Sequence, residues 1–326
     1  MTFDEFAASW RSGAPCIEAH TSGSTGAPKA IALPRKFVEE SARRTNEFFG
    51  IRGDSLLYCP LAADYIAGKM MWVRAELAGA EFEAEEASNR PLSRWTHGRR
   101  RRIDLLAVVP SQLQYLINTD AGALPQIGDI IVGGAPTDDD TRLRAAEWCA
   151  RTGTRVFETY GMTETASHIA LREISTRPAP YFHTLPGISV SCNAEGCLTI
   201  DIPGWPQVET RDCARIVSPT EFAILGRADG VIITGGLKVH PEDVERRIAR
   251  IVGRPAMVSS EPHPKWGEQV VLVVETAGEP MSDRAKEELL QALAGVLAPH
   301  ERPRRIRCTD ALPRTRTGKI ARKTGK

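Results

Sequence analysis

The sequence predicts an α/β protein in two parts. A large N-terminal domain covers residues 1–228, with parallel-rich sheets, flanking helices and a small β-subdomain. A small α+β C-terminal domain covers 229–326. Three observations carry this expectation. Between residues 35 and 165, short apolar runs alternate with segments of helical spacing, as in strand–helix–strand units around a mostly parallel sheet. From about residue 185 the texture changes to period-two alternation interrupted by turn residues, the mark of antiparallel strands. The length of 326 residues suits about two domains of roughly 150 residues each.

In chain order, "RKFVEESARRTNEFF" (35–49) sets Phe37, Ala42, Thr45 and Phe49 near one face of a helix, with Gly50 placed to end it. "SLLYCPL" (55–61) reads as a buried strand. "ADYIAGKMMWVRAELAGA" (63–80) has helical spacing in Met70, Met71, Val73, Arg74 and Leu77. A basic run, "HGRRRRID" (97–104), leads into the strand-like "LLAVV" (105–109). "GDIIVGGAPT" (128–137) reads strand, glycine turn, helix start. Asp138, Asp139 and Asp140 open that helix, where its dipole favours negative charge. Leu143, Ala146 and Cys149 or Ala150 form its apolar stripe, and Gly153 closes it. "RVFETYGMTET" (155–165) repeats strand-then-loop. In such sheets ligands sit at the loops leaving the C-terminal ends of strands.

Beyond residue 185, "GISVSCNAEGCLTIDIPG" (187–204) carries a "NAEG" turn between alternating strands, and "EFAILGRADGVIITGG" (221–236) reads strand, turn, strand. "PEDVERRIARIVG" (241–253) is a helix with Pro241 in its first turn and Val244, Ile248 and Ile251 on one side. "VVLVVE" (270–275) is a strand. "SDRAKEELLQALAGVLAP" (282–299) is a helix with Ser282 as N-cap, and "RRIRC" (304–308) completes the unit. The domain boundary falls between residues 228 and 229.

Composition narrows the function. Lys and Arg total 42 against 41 Asp and Glu, so no global field draws in nucleic acid or an anionic membrane, and anion binding must be local. No run approaches the ~18 apolar residues of a membrane span, and "MTFDEFAASW" lacks the apolar core of a secretory signal. The seven cysteines are odd in number and scattered. They read as reduced thiols of a cytoplasmic protein.

The stretch "TSGSTGAPK" (21–29) is the strongest local signal. Gly23 and Gly26 let the backbone approach an anion. Successive N–H groups of such a turn form an anion trap. The hydroxyls of Thr21, Ser22, Ser24 and Thr25 and the ammonium of Lys29 add donors suited to a polyphosphate. The spacing is not that of the Walker loop, and glycine with serine also makes plain linkers, so from these residues alone both readings stand.

Four segments together carry a resemblance. "TSGSTGAPK" resembles the phosphate-loop signature of the adenylate-forming superfamily, which includes acyl-CoA synthetases, peptide-synthetase adenylation domains and luciferases. "YGMTET" (160–165) resembles its second signature, "GRADGVIITGGLKVHPEDVE" (226–245) its hinge segment, and "PRTRTGK" (313–319) its C-terminal lysine motif. The four stand in the family's order. "YGMTETASHIALR" and "AADYIAGKMMWVRAE" are similar to o-succinylbenzoate–CoA ligases of menaquinone synthesis, in a short form. The resemblance implies an ATP-dependent acid–CoA ligase that adenylates a carboxylate and passes the acyl group to coenzyme A. The alternatives are a ligase for another aryl or acyl acid, or a non-catalytic nucleotide-binding relative.

Residue by residue, the resemblance implies that the loop of Thr21, Ser22, Gly23, Ser24, Thr25, Gly26 and Lys29 holds the β- and γ-phosphates of ATP. Thr163 touches the α-phosphate and Glu164 holds Mg²⁺. Tyr160 lies against the adenine, and Gly161 and Gly134 also belong to the nucleotide site; taken alone, Tyr160 reads better as a core aromatic. Asp212 and Arg227 reach the ribose, although Arg211 stands where the family writes glycine. Asp229 is the hinge, and Lys319 neutralises charge developing at the α-phosphate. Gly235 and Gly236 fit either the pantetheine of coenzyme A or a plain hairpin turn. Ser167, His168, Asp64, Tyr65 and Lys69 are the candidates for the acyl pocket. In a dicarboxylate acid one carboxylate reacts, and the other needs a partner such as Ser167, a lysine or an arginine. The arginines at 99–102 either meet the coenzyme A 3′-phosphate or are solvated. The chain reaches its phosphate loop early for the family, so a partner subunit or exposed surface stands in for missing elements, and a homodimer is one expectation.

Overall fold

The computed structural model describes residues 1–20, 30–93, 95, 102–177, 179–314 and 320. The elements in order are α1 (Phe3–Arg11), β1 (Cys16–His20), β2 (Ala30–Pro34), α2 (Arg35–Phe49), β3 (Leu56–Cys59), α3 (Ile66–Ala78), β4 (Glu81–Ala84), β5 (Ile103–Val108), α4 (Pro110–Asn118), β6 (Ile127–Val132), α5 (Asp139–Thr152), β7 (Arg155–Gly161), β8 (His168–Ile174) and β9 (Phe182–Thr184). They continue with β10 (Ser189–Cys192), β11 (Cys197–Asp201), β12 (Val208–Ser218), β13 (Glu221–Arg227), β14 (Ile232–Thr234), β15 (Leu237–Val239), α6 (Pro241–Val252), β16 (Ala256–His263), β17 (Gly267–Glu275), α7 (Asp283–Ala294) and β18 (Arg305–Thr309). None of the described helices is long and apolar enough to cross a membrane. The chain forms two compact units. The first holds residues 1–190, 200–208 and 217–222; the second holds 191–199, 209–216 and everything from Ala223 on.

In the first unit, β4, β3, β5, β6 and β7 are parallel neighbours in that order. Helices cover both faces, so the strands are buried and mostly apolar rather than alternating: all four residues of β3 and all six of β6 are buried, with Asp129 of β6 paired to Arg155 at 2.6 Å. Leu56, Tyr58, Leu106, Val108, Ile130 and Val132 pack against α4 and α5. The opposite face meets α3 at β3 and β4, and Phe49 of α2 at Phe157 of β7, 5.4 Å between ring centres. Helix α2 buries Phe37, Val38, Ser41, Ala42, Thr45, Asn46 and Phe49 and ends at Gly50 with φ +65°, as its periodicity predicts. Helix α3 is buried from Gly68 to Ala75, which a helix apolar on every side requires. One stripe is corrected: on α5 the buried residues are Thr141, Ala145, Ala146 and Trp148, whereas Leu143 is 49% exposed. The large indole of Trp148 reaches the core and sets the rotation of the helix.

Past β7 the sheet reverses. β8 pairs antiparallel with β7, and β9 with β8; neither strand shows in the period pattern. Glu221 and Phe222 extend the sheet beyond β9.

The second unit has its own sheet, ordered β15-β14-β17-β16, with β18 parallel to β17. Its core joins Val244 and Ile248 of α6 and Leu293 of α7 to Val258, Val270, Leu272 and Val274. The Ser282 hydroxyl accepts from the Ala285 N–H at 3.2 Å, the cap the sequence predicts.

Candidate active site

Strands β5, β6 and β7 run parallel and in step, so the loops leaving their C-terminal ends open on one edge of the sheet, the edge where such sheets bind ligands. Gly133 and Gly134 follow β6 there. Gly134 has φ +80°, a region that favours glycine. Strand β7 ends in Tyr160 and Gly161, and a bulge between them lets the chain fold back into β8. The half-buried Tyr160 ring meets Phe222 edge-on at 5.3 Å and lies 5.9 Å from Phe182.

Gly161 has a steric reason. A Cβ there would lie 2.4 Å from both His168 Cα and the Ser167 carbonyl oxygen. Residues Thr163–Thr165 then make one tight turn. The Thr165 hydroxyl accepts from the Met162 N–H at 3.0 Å and donates toward the Ser167 carbonyl at 2.7 Å. Ala166 closes the turn at φ +61°, a strained value for a residue with a Cβ. Gly161→Ala is expected to destabilise the protein by about 1–3 kcal/mol, read as a lower urea midpoint with an unchanged slope.

Thr163 and Glu164 are half-buried on this turn. Among the described residues, Glu164 makes no ion pair or hydrogen bond. Magnesium prefers one or two carboxylates completed by phosphate oxygens and water. A lone, open carboxylate at the ligand-binding edge fits such an ion.

Behind the turn lies a polar network inside the core. Arg74 is 2% exposed. Its Nη2 donates to Ser167 Oγ at 2.5 Å and reaches His168 Nδ1 at 3.5 Å. Among the described residues its Nη1 finds only Met71 Sδ at 3.5 Å, and its Nε has no partner. No described carboxylate pairs with it, and burial pushes it down to about 10, still charged at neutral pH. The nearby Cys59 thiol is pushed up to about 12 by burial, so it stays neutral. An uncompensated buried cation costs several kcal/mol, and Ser167, half-buried, is the accessible end of this network.

The other acyl-pocket candidates lie elsewhere. Lys69 is buried, donates to the Glu18 carbonyl at 2.6 Å and sits 5.7 Å from the Phe6 ring. Asp64 pairs with the Met1 ammonium at 2.9 Å, and Tyr65 is exposed. None of the three joins Arg74, Ser167 and His168. Arg74 itself is the residue that helical spacing hides: it appears in the sequence as one more member of an apolar helix. The signal that reveals it is a lone arginine within Met70–Ala75 with no acid three or four positions away.

In the second unit, Arg227 brings two candidates together, donating to Asp212 at 3.4 Å and to Asp229 at 3.1 Å. Gly235 and Gly236 form the two-residue turn between β14 and β15, with Thr234 opposite Leu237 and both φ values positive. The hairpin reading therefore holds for their backbone. The phosphate-loop residues 21–26, Lys29, Lys319 and the arginines at 99–101 lie outside the described residues; Arg102 lies 3.7 Å from Asp104.

Comparison with known proteins gives the family. The family model described as AMP-binding enzyme matches residues 6–195, and that of the AMP-binding enzyme C-terminal domain matches 254–319. A 2-succinylbenzoate–CoA ligase of Enterococcus faecalis is 26% identical over 93% of this chain, which spans 67% of that relative's length. The solved structure of an acyl-CoA synthetase (AMP-forming)/AMP-acid ligase II-like protein from Dyadobacter fermentans is 31% identical, with 97% of this chain and 90% of that one covered at a TM-score of 0.64. O-succinylbenzoate coenzyme A synthetase from Bacillus subtilis, solved with ATP and magnesium, shares the fold at a TM-score of 0.75 and 21% identity, over 94% of this chain and 68% of that one. With its family model spanning more than half its length and a solved relative matched almost end to end, the chain belongs to the AMP-binding enzyme family.

Proposed function

We propose that the chain is an ATP-dependent acid–CoA ligase acting in the cytoplasm on an aryl dicarboxylate of the o-succinylbenzoate type, in menaquinone biosynthesis. The acid's reacting carboxylate attacks the α-phosphorus of ATP and pyrophosphate leaves. The thiol of coenzyme A then attacks the acyl carbonyl and AMP leaves. No side chain becomes covalently attached, so the protein's work is positioning and charge stabilisation.

The roles follow from the resemblance of the motifs that carry these residues. The loop of residues 21–26 with Lys29 takes the β- and γ-phosphates. Thr163 donates to the α-phosphate, and Glu164 is the carboxylate that would hold Mg²⁺. Tyr160, Gly134 and Gly161 border the adenine, while Asp212 and Arg227 serve the ribose hydroxyls. A second domain, 229–326, turns about Asp229 to exchange Lys319 for the Gly235–Gly236 face, which meets the pantetheine arm.

The observation that carries the substrate class is Arg74. A buried guanidinium with no carboxylate partner among the described residues is a counter-charge waiting for an anion. A monocarboxylate would offer its only carboxylate to ATP and leave Arg74 unpaired. A dicarboxylate meets both needs. The test is pyrophosphate release with a panel of mono- and dicarboxylic acids, with and without coenzyme A. Release with o-succinylbenzoate, and a thioester only when coenzyme A is added, is the expected outcome. ATP binding without release for any acid would sink the proposal.

A further inference from the structure

We propose that His168, backed by Thr45, is a positioning residue that orients Arg74, through Ser167, for the second carboxylate, with its own ring nitrogens committed to the protein. This deepens, and rests on, the reading of Arg74 as the partner of that carboxylate.

The chemistry of the network fixes its polarity. A guanidinium only donates, so Ser167 Oγ is the acceptor of the 2.5 Å bond from Arg74. The Ser167 hydroxyl hydrogen is thereby free for His168 Nδ1, 3.3 Å away. Nδ1 also faces Arg74 Nη2, so it must be the unprotonated nitrogen. Its ring proton then sits on Nε2, where it donates to Thr45 Oγ1 at 3.2 Å. Thr45 passes its own hydrogen to the Ser41 carbonyl at 3.3 Å. The chain of donors runs one way, from Arg74 through Ser167, His168 and Thr45 to the backbone of α2. Burial, with Arg74 beside it, holds His168 well below its usual range, which agrees with a neutral acceptor.

Three consequences follow from this geometry. The His168 ring is 8% exposed and both its nitrogens are committed, so they are not offered to the acid, although the ring borders a small cavity with Thr165, Arg44 and Ile202. Arg74 Nη2 is held by Ser167 and His168 together, which fixes the plane of the guanidinium, while its buried Nε has no partner among the described residues. The anchor of the relay is a helix backbone, so the aim of the guanidinium is referred to the rigid packing of α2 on α3. A ligand-facing group needs such support to stay within about 0.5 Å of productive geometry.

The experiment compares His168→Phe, His168→Asn, Thr45→Val and Arg74→Met as purified full-length enzymes. Two acids serve as probes: o-succinylbenzoate, and 4-oxo-4-phenylbutanoate, the same skeleton without the ring carboxylate. His168→Phe keeps the ring shape and removes both nitrogens. It is expected to raise the KM for o-succinylbenzoate about tenfold, the value of one hydrogen bond to a charged group, with the KM for ATP unmoved. His168→Asn restores an acceptor toward Ser167 and should recover most of that loss. Thr45→Val should shift the same KM in the same direction by a few-fold, which supplies the answer if His168→Phe does not fold. An unchanged KM in His168→Phe and Thr45→Val, or an equal rise for the acid without the ring carboxylate, overturns the positioning role. If Arg74→Met also fails to weaken the dicarboxylate selectively, the reading of Arg74 itself falls; if it succeeds while the other variants do nothing, only the role of His168 does.

Discussion

Lys319→Ala is expected to slow acyl-adenylate formation by about 10²–10³, the loss that follows removal of one well-aimed electrostatic donor, and to leave thioester formation from supplied acyl-adenylate intact. The lysine stands six residues after Pro313 in "PRTRTGK", in a tail where an isolated lysine would ordinarily be a solvated charge. The role proposed for it is specific to one half-reaction. Negative charge builds on the α-phosphate as the acid attacks, and a cation placed there stabilises the transition state more than the ground state. In the proposed second step the thiol attacks the acyl carbonyl and that phosphate leaves as AMP, so a cation at the α-phosphate would no longer be needed. Single-turnover measurements separate the steps: pyrophosphate release from ATP and acid for the first, and AMP release from synthetic acyl-adenylate and coenzyme A for the second. Equal loss in both would contradict a lysine that enters for adenylation and then withdraws.

Much of the fold is legible because burial on both faces writes itself plainly. Strands β3, β5 and β6 are short, apolar and bounded by turn residues, and α2 and α6 carry one-sided stripes ending in Gly50 and Gly253. Elements without a clean period are harder. Strand β8 mixes His168, Arg172 and Glu173 with apolar residues, because Arg172 is drawn in by the buried Glu158 at 2.6 Å; a buried ion pair erases the alternation that would mark a strand. Helix α1 is only nine residues long, and its hold on the core comes from distant aromatic contacts such as Phe6 on Trp72 at 5.5 Å, which no local pattern records. The site divides in the same way. Tyr160, Gly161, Thr163 and Glu164 are contiguous, so their shared edge can be read from order alone. Arg74 and Ser167 lie 93 positions apart, and only the packing of α3 behind the turn after β7 brings them together.

Arg74→Met is the substitution that separates a functional arginine from a structural one, because the two readings predict opposite stabilities. A structural arginine holds its neighbours by satisfied bonds, and its removal would lower the unfolding midpoint. Among the described residues, Arg74 instead leaves Nε unpaired and offers Nη1 only a thioether. Methionine of similar length removes a desolvated charge and keeps the packing. The free enzyme is therefore expected to become more stable by about 1–3 kcal/mol, as when buried ionic groups are replaced by apolar ones. Ser167 and His168 satisfy each other in the variant through their 3.3 Å contact, so little polar surface is orphaned. Over the same substitution, kcat/KM for o-succinylbenzoate should fall by about 10²–10³, the penalty for leaving a buried carboxylate without its cation. Urea unfolding and initial rates on one preparation measure both quantities. A variant that loses stability while keeping its preference for the dicarboxylate would assign Arg74 to the core and remove the basis for the substrate class. A gain in stability joined to a loss of selectivity identifies a charge kept in the core at the expense of folding because the substrate completes it.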